Sequence, residues 1–211
     1  MKILYFDTLD STQSYLKEAL RSKNLTVPVC VVANRQTNGL GSRGNEWNSI
    51  EGNLFFSFAI DIDSLPTDLK LESVSIYFAY LLKELLCEYG SKVWLKWPND
   101  FYIQDLKIGG LLTNMVGKNI ICGIGLNLTN APDGFEKLDI EIDKKTVLQK
   151  YIKKIEKFVL WKQVFSKYKL EFYRNEKFFT HNGNRKLSLD DAELCLDGSL
   201  LINGERIYSL R

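Results

Sequence analysis

Two lysines, an amide and a carboxylate crowd into two short segments, Lys96-Trp97-Pro98-Asn99-Asp100 and Lys107-Ile108-Gly109-Gly110. Pro98 fixes its own φ and restricts Trp97 before it, so the first segment is stiff. Asn99 and Asp100 supply a turn and a carboxylate. Lys107 enters the next apolar run, where Gly109-Gly110 removes side chains and lets a ligand approach the backbone. Ammonium groups beside a carboxylate and bare backbone suit a nucleotide phosphate with a magnesium ion. An ordinary hairpin with charged rims has the same composition, and spacing alone leaves the two readings level.

Three further segments carry polar or glycine-rich patterns. They are Asp10-Ser11-Thr12-Gln13, then Gln36-Thr37-Asn38-Gly39-Leu40-Gly41-Ser42-Arg43-Gly44 with Trp47 beyond it, and Gly123-Ile124-Gly125-Leu126-Asn127. With the two lysine segments, and in this order, they resemble the biotin–protein ligases. The resemblance runs from residue 3 to about residue 130 and more loosely to the end. The central motif is specific, whereas the glycine loop alone would be weak. The Ser-Thr element begins at residue 11, so the resemblance is to a short form without an N-terminal DNA-binding domain.

What the resemblance implies is a two-step reaction with ATP, Mg2+ and biotin. Biotin's carboxylate attacks the α-phosphate of ATP, pyrophosphate leaves, and biotinyl-adenylate remains. A lysine of a carrier protein, the biotin carboxyl carrier domain of acetyl-CoA carboxylase or a related carboxylase, then attacks the mixed anhydride. The first step sets anion against anion, so catalysis must come from charge neutralisation and alignment. Lys107 is the first catalytic candidate, as a point charge bridging carboxylate and phosphate. Ser11, Thr12, Gln13 and Gln36 are implied to hold the ureido ring, since polar groups at the end of an apolar pocket fit a neutral urea. Gly39, Leu40, Gly41, Ser42, Lys107 and Gly110 complete the implied biotin site. Arg43, Trp47, Lys96, Asn99, Asp100, Lys107 and Asn127 are implied to contact the nucleotide, with Asp100 also the candidate metal ligand. Plainer roles compete: Ser11 reads also as a helix N-cap, Asn127 as a turn cap and Trp47 as a packing anchor.

One stretch departs from the family. Its loop usually reads Gly-Arg-Gly-Arg-x-Gly-Arg-x-Trp, and here Leu40, Ser42 and Asn45 stand where the three arginines are expected. Arg43 falls at the free position. Contacts from the backbone of Leu40 to Ser42 do not need those side chains.

The elements that must position these residues follow from periodicity. Ile3–Phe6 reads as a strand, and Asp10 or Ser11 then caps a helix reaching about Ser22. Val29–Ala33 and Leu54–Ile60 are strand-like apolar runs. Residues 35–49 hold three glycines and no periodicity, and read as a long functional loop. A helix over Leu69–Glu88 carries Leu71, Val74, Phe78, Leu81, Leu82 and Leu85 on one face. Strands follow at Val93–Lys96, Phe101–Ile103, Ile108–Val116 and Ile120–Leu128. Residues 144–174 read as helical and basic, a solvated face in the main. From Lys177, short alternating runs are broken by Asn182-Gly183-Asn184, Asp197-Gly198 and Asn203-Gly204, which are hairpin signals. The expected fold is α/β of the α+β type, a mixed sheet backed by helices. By resemblance it is the class II synthetase-like catalytic domain (residues 1–176) with a small SH3-like β module (177–211). Those 35 residues are too few for a core of their own and should pack on the main domain.

Composition sets the outer limits. The 211 residues are 45% hydrophobic and 12% aromatic, which indicates a globular chain with one substantial core. A net charge of +2 gives no support for nucleic-acid binding. The four cysteines, Cys30, Cys87, Cys122 and Cys195, are dispersed in apolar runs and read as buried reduced thiols. The only histidine, His181, reads as structural or solvent-exposed. No signal peptide and no run of roughly 18 apolar residues is present, which points to a cytoplasmic protein. The sequence leaves open whether edge strands pair the protein into a homodimer. Lipoate–protein ligases and octanoyl transferases share the implied architecture but lack the Lys-Trp-Pro-Asn-Asp segment. A biotin-binding regulator, the non-enzymatic alternative, would have lost Lys107 or Asp100.

With Leu40 and Ser42 in place of arginines, loop closure gains fewer charge-assisted hydrogen bonds. Ser42→Arg is therefore expected to slow escape of biotinyl-adenylate in rapid-mixing dissociation. An unchanged rate would show that Arg43 or the backbone alone does the holding.

Overall fold

The structure is a computed structural model that describes residues 1–209, without the side chain of Arg43. Its centre is a seven-stranded mixed sheet. In chain order the elements are β1 (Lys2–Leu9), α1 (Thr12–Arg21), β2 (Val29–Gln36), β3 (Gly39–Leu40), β4 (Glu46–Trp47), β5 (Leu54–Asp61), α2 (Val74–Glu88), β6 (Trp94–Lys96), β7 (Asp100–Ile103), β8 (Leu106–Val116) and β9 (Asn119–Leu126). They are followed by α3 (Lys144–Ile155), α4 (Trp161–Glu171), β10 (Phe179–Asn182), β11 (Arg185–Ser188), β12 (Glu193–Leu194), β13 (Leu200–Ile202) and β14 (Glu205–Ile207). The sheet order is β1-β2-β5-β9-β8-β7-β6, with β1 parallel to β2 and every other pair antiparallel.

Strand alternation divides the sheet into two unlike faces. Cys30, Val32, Phe56, Phe58, Ile120, Cys122 and Ile124 point into the main core. Val29, Val31, Ala59 and Ile121 point the other way, into a small cluster under α1 with Leu16 and Leu20. On the main face Phe58 meets Phe78 and Tyr151 edge-on at 5.1 and 6.1 Å. Tyr151 also donates to the Phe78 carbonyl at 2.8 Å.

The long helix differs from expectation in extent and in exposure. A single 3-10 turn at Leu71–Ser73 precedes α2, which is buried on all sides from Val74 to Lys83. The sheet covers one side and α3 and α4 the other, so an apolar surface all round is what its position requires. Residues 144–174 form two helices. The break lies near Phe158, at φ 45°, and the N-terminus of α4 is capped from a distance. Asp68 accepts the N–H groups of Trp161 and Lys162 at 2.8 and 3.0 Å.

After residue 177 the chain makes the hairpin β10–β11 and the three-stranded sheet β12–β13–β14. Gly183, Gly198, Asn203 and Gly204 take the left-handed conformation their turns require. Leu189, Leu194, Leu200, Ile202 and Ile207 join the same apolar cluster as α2, so these strands share its core. All four cysteines are free. Cys30 and Cys122 are buried, and burial raises both thiols, whereas Cys87 and Cys195 are only half-buried, contrary to expectation. No helix among the described residues is long and apolar enough to cross a membrane.

Phe58 has no exposed surface and two aromatic partners. Phe58→Ala is expected to cost about 3–5 kcal/mol through lost transfer energy and a residual cavity. Urea unfolding should show this as a lower midpoint at unchanged slope.

Candidate active site

The face of the sheet under α1 is not filled along its whole length. Beyond Ala59 and Ile121 the same alternation brings Ser57, Gly123 and Gly125 to the lining of a cleft, and neighbouring β8 adds Gly110 and Leu112. Gly110 pairs with Gly125 and Leu112 with Gly123, so two bare positions lie side by side. A Cβ on Gly123 would collide with Oε1 of Gln13, and one on Gly125 would sit 2.5 Å from the Trp47 indole. The result is a cleft with backbone for much of its floor.

One end of the cleft is polar and uncharged. Ser11 caps α1 by accepting the Ser14 N–H, which leaves Thr12 and Gln13 on the first turn, facing β5 and β9. Gln36 Oε1 accepts from the Thr12 N–H at 2.8 Å and from Thr12 Oγ1 at 3.1 Å. Thr12 Oγ1 lies 2.9 Å from Ser57 Oγ, and Gln36 Nε2 donates to Ser49. Gln13 Nε2 donates to Asn114 Oδ1 at 3.1 Å, but its Oε1, buried over Gly123, has no partner. An unused buried acceptor costs free energy unless a ligand supplies the donor.

The other end is ionic. Lys96 and Asp100 are paired across the β6–β7 hairpin, and Lys107 comes from β8 beside them. Lys107 Nζ lies 2.7 Å from Asp100 Oδ1, and Lys96 Nζ 4.0 Å from Asp100 Oδ2. Burial, then the charge of Asp100, raises the Tyr102 phenol, so it stays protonated under the Lys96 ammonium 5.8 Å from its ring. Asn99 is locked to β8, donating from Nδ2 to the Leu111 carbonyl and accepting the Leu111 N–H at 2.9 Å. The Lys107 carbonyl accepts the Glu136 N–H at 3.0 Å.

The segment expected as a long irregular loop is a small hairpin. β3 and β4 pair Gly39 with Trp47 and Leu40 with Glu46 around a 3-10 turn at Ser42–Gly44. This folds Leu40, Gly41 and Ser42 over the cleft and lays Trp47 on Gly125. The Trp47 indole N–H is buried without a partner. The side chain of Arg43 lies outside the described residues.

Most of the residues expected at a site therefore meet. Ser11, Thr12, Gln13, Gln36, Leu40, Gly41, Ser42, Trp47, Asn99, Asp100, Lys107 and Gly110 line one cleft. Lys96 stands just behind Asp100, and Gly39 packs on the Trp47 carbonyl. Asn127 is buried away from the cleft, its Nδ2 donating to the Glu136 carbonyl and its Oδ1 accepting from Asn53. Ser57, Leu112, Gly123 and Gly125 were not expected. A serine inside Leu54-Phe55-Phe56-Ser57-Phe58-Ala59 and alternate glycines at 123 and 125 were the available signals. Asp100 is the one acidic residue among those described that lines the cleft, and its two oxygens already face ammonium groups. This donor set does not fit a resident magnesium ion.

Residues 5–127 match the family described as biotin/lipoate A/B protein ligase. The chain belongs to that family. It is 30% identical to the bifunctional ligase/repressor BirA of Bacillus subtilis (strain 168), over 92% of this chain and 68% of that protein. Among solved structures, the biotin acetyl coenzyme A carboxylase synthetase of Helicobacter pylori, with bound biotinylated ATP, is 42% identical at a TM-score of 0.93. That match covers 98% of this chain and 99% of that one. The biotin protein ligase of Aquifex aeolicus, in complex with biotin and ATP, is 26% identical at a TM-score of 0.80, covering 98% and 94% of the two chains. In this member of the family the glycine floor and the Trp47 lid are in direct contact, which makes a steric test available. Gly125→Ala is expected to push the indole off the floor at a cost of about 1–3 kcal/mol. The readout is a red-shifted tryptophan emission component together with a lower melting temperature.

Proposed function

We propose that this protein is a biotin–protein ligase: it activates biotin with ATP to biotinyl-5'-AMP and transfers biotin to a lysine of a carboxylase carrier domain. The observation that carries this reading is one cleft with two chemically different ends. Gln13 Oε1 waits as an unpaired acceptor at the neutral end, and the Lys107 ammonium stands at the ionic end. A ureido ring has N–H donors for that acceptor, whereas the dithiolane of lipoate or the alkyl chain of octanoate has none. The names of the similar proteins from Helicobacter pylori and Aquifex aeolicus support the same reading.

In the first step a biotin carboxylate oxygen attacks the α-phosphorus and pyrophosphate leaves with the electrons of the broken P–O bond. Two anions must approach, and Lys107 offsets their repulsion by sitting between carboxylate and phosphate as charge builds. Asp100 keeps the Lys107 ammonium at the cleft's edge, and Lys96 adds positive charge behind it. Asn99 fixes the turn that presents Asp100. Thr12 and Gln36 hold the polar end, and the bare floor at Gly110, Gly123 and Gly125 admits the ligand to backbone contact. In the second step the carrier lysine's amine attacks the anhydride carbonyl and AMP leaves. No covalent intermediate with the enzyme is required. Residues 1–176 act as the catalytic domain, with 177–211 as an SH3-like module packed on it, in a cytoplasmic protein.

Labelled biotin, ATP and a carrier domain, with lipoate and octanoate as competing acids, test the proposal. Transfer of label that neither acid suppresses is expected, and preferential transfer of lipoate or octanoate would overturn the reading. Lys107→Ala should slow biotin-dependent ATP–pyrophosphate exchange by at least ~100-fold while leaving the circular dichroism spectrum intact. Exchange at the wild-type rate would remove Lys107 from that role.

A further inference from the structure

The ionic end of the cleft is held from behind by residues that lie outside the matched region 5–127. Trp97 is wholly buried and pinned twice. Its backbone N–H donates to Asn175 Oδ1 at 2.8 Å, and its indole N–H donates to the Gly198 carbonyl at 2.8 Å. Asn175 has no exposed surface and closes the 3-10 turn Phe172–Asn175. Its Nδ2 donates to the Phe172 carbonyl at 3.0 Å, so both ends of the amide are used. Gly198 sits at φ 75°, where a Cβ would lie 2.8 Å from Ile76, so its carbonyl is equally fixed.

Only Pro98 and Asn99 separate Trp97 from Asp100. Pro98 has a fixed φ, and Asn99 is bonded to Leu111 in both directions. Little torsional freedom remains between the Asn175 amide and the Asp100 carboxylate that holds Lys107. The geometry points to Asn175 as a positioning residue for adenylation, setting Asp100 and Lys107 through the main chain of Trp97 without touching substrate. The neutral end rests on α1, β2 and β5 and has no hydrogen bond to Asn175. Loss of Asn175 therefore weakens use of ATP more than binding of biotin, whose ureido contacts lie at the other end. A purely structural asparagine would weaken both together, or neither. This inference rests on the ligase reading.

The test uses the full chain with Asn175→Ala and, independently, Trp97→Phe, which keeps the ring and removes the indole donor. Three quantities are read: KM for ATP in pyrophosphate exchange, biotin affinity by calorimetry, and hydrogen exchange at the Trp97–Asp100 amides. The expected result is a KM for ATP raised about 10- to 100-fold, the scale of an ångström-level misplacement. Biotin affinity should fall far less than the KM for ATP rises, and the Trp97 amide should exchange faster in Asn175→Ala. An unchanged KM for ATP in the folded variants, or a parallel loss of biotin affinity, overturns the inference. If Asn175→Ala does not fold, Asn175→Ser, which also withdraws the Oδ1 acceptor from the Trp97 N–H, decides by the same kinetic criteria. Wild-type protein without biotin-dependent exchange would instead overturn the ligase reading, and amide exchange would still test the link from Asn175 to the turn.

Discussion

The antiparallel pairing of β8 with β9 is the constraint on which the rest depends. It aligns Gly110 with Gly125 and Leu112 with Gly123, so bare positions gather on one face while Ile120, Cys122, Ile124 and Leu126 fill the other. A strand has a side-chain period of 2, and a slip of one residue would send the large side chains into the cleft and the glycines into the core. The aromatic packing of Phe56 and Phe58 on α2 and α3 therefore also fixes the register of the empty face.

On that face the chemistry is sorted by distance from α1. Its first turn brings amides and hydroxyls, which satisfy one another except at Gln13 Oε1. Away from α1, β6, β7 and β8 bring two lysines to one carboxylate. Two buried asparagine nodes stand behind the ionic end. Asn175 holds Trp97, while Asn53 takes the N–H groups of Leu128, Thr129 and Asn130 and bonds Asn127, which in turn binds the carbonyl of Glu136. Glu136 donates to the Lys107 carbonyl, so the lysine's backbone is clipped from outside its own strand. Fully satisfied buried networks of this sort define a single geometry.

The hairpin β3–β4 shows how the loop folds with its substituted residues. Leu40 is 44% exposed, in the position where the resemblance leads one to expect arginine. The hairpin pairing and the Gly41 N–H to the Asn45 carbonyl at 2.7 Å are main-chain interactions, indifferent to those side chains. Trp47 anchors the far strand on Gly125, so packing and backbone bonding shape the closed loop.

The residues of the ionic end were picked out by the family resemblance. The chain by itself determined the main order of strands and helices, a helix cap at Asp10 or Ser11, and the Asn-Gly and Asp-Gly turns. These depend on neighbours a few positions away, and local periodicity and conformational preference reveal them. It did not show that residues 144–174 break into two helices, because the cap that starts α4 is Asp68, more than ninety residues earlier. Nor did it show that α2 is buried all round, that residues 39–47 pair as a hairpin, or that Ser57 and Gly123 form part of the floor. It offered Asn127 as a nucleotide contact or a turn cap, and the fold buries it behind the strand, bonded to Asn53 and Glu136. Only the tertiary structure decided these points, because each depends on which distant side chain or backbone group fills a given space, and a residue's type does not specify its partner.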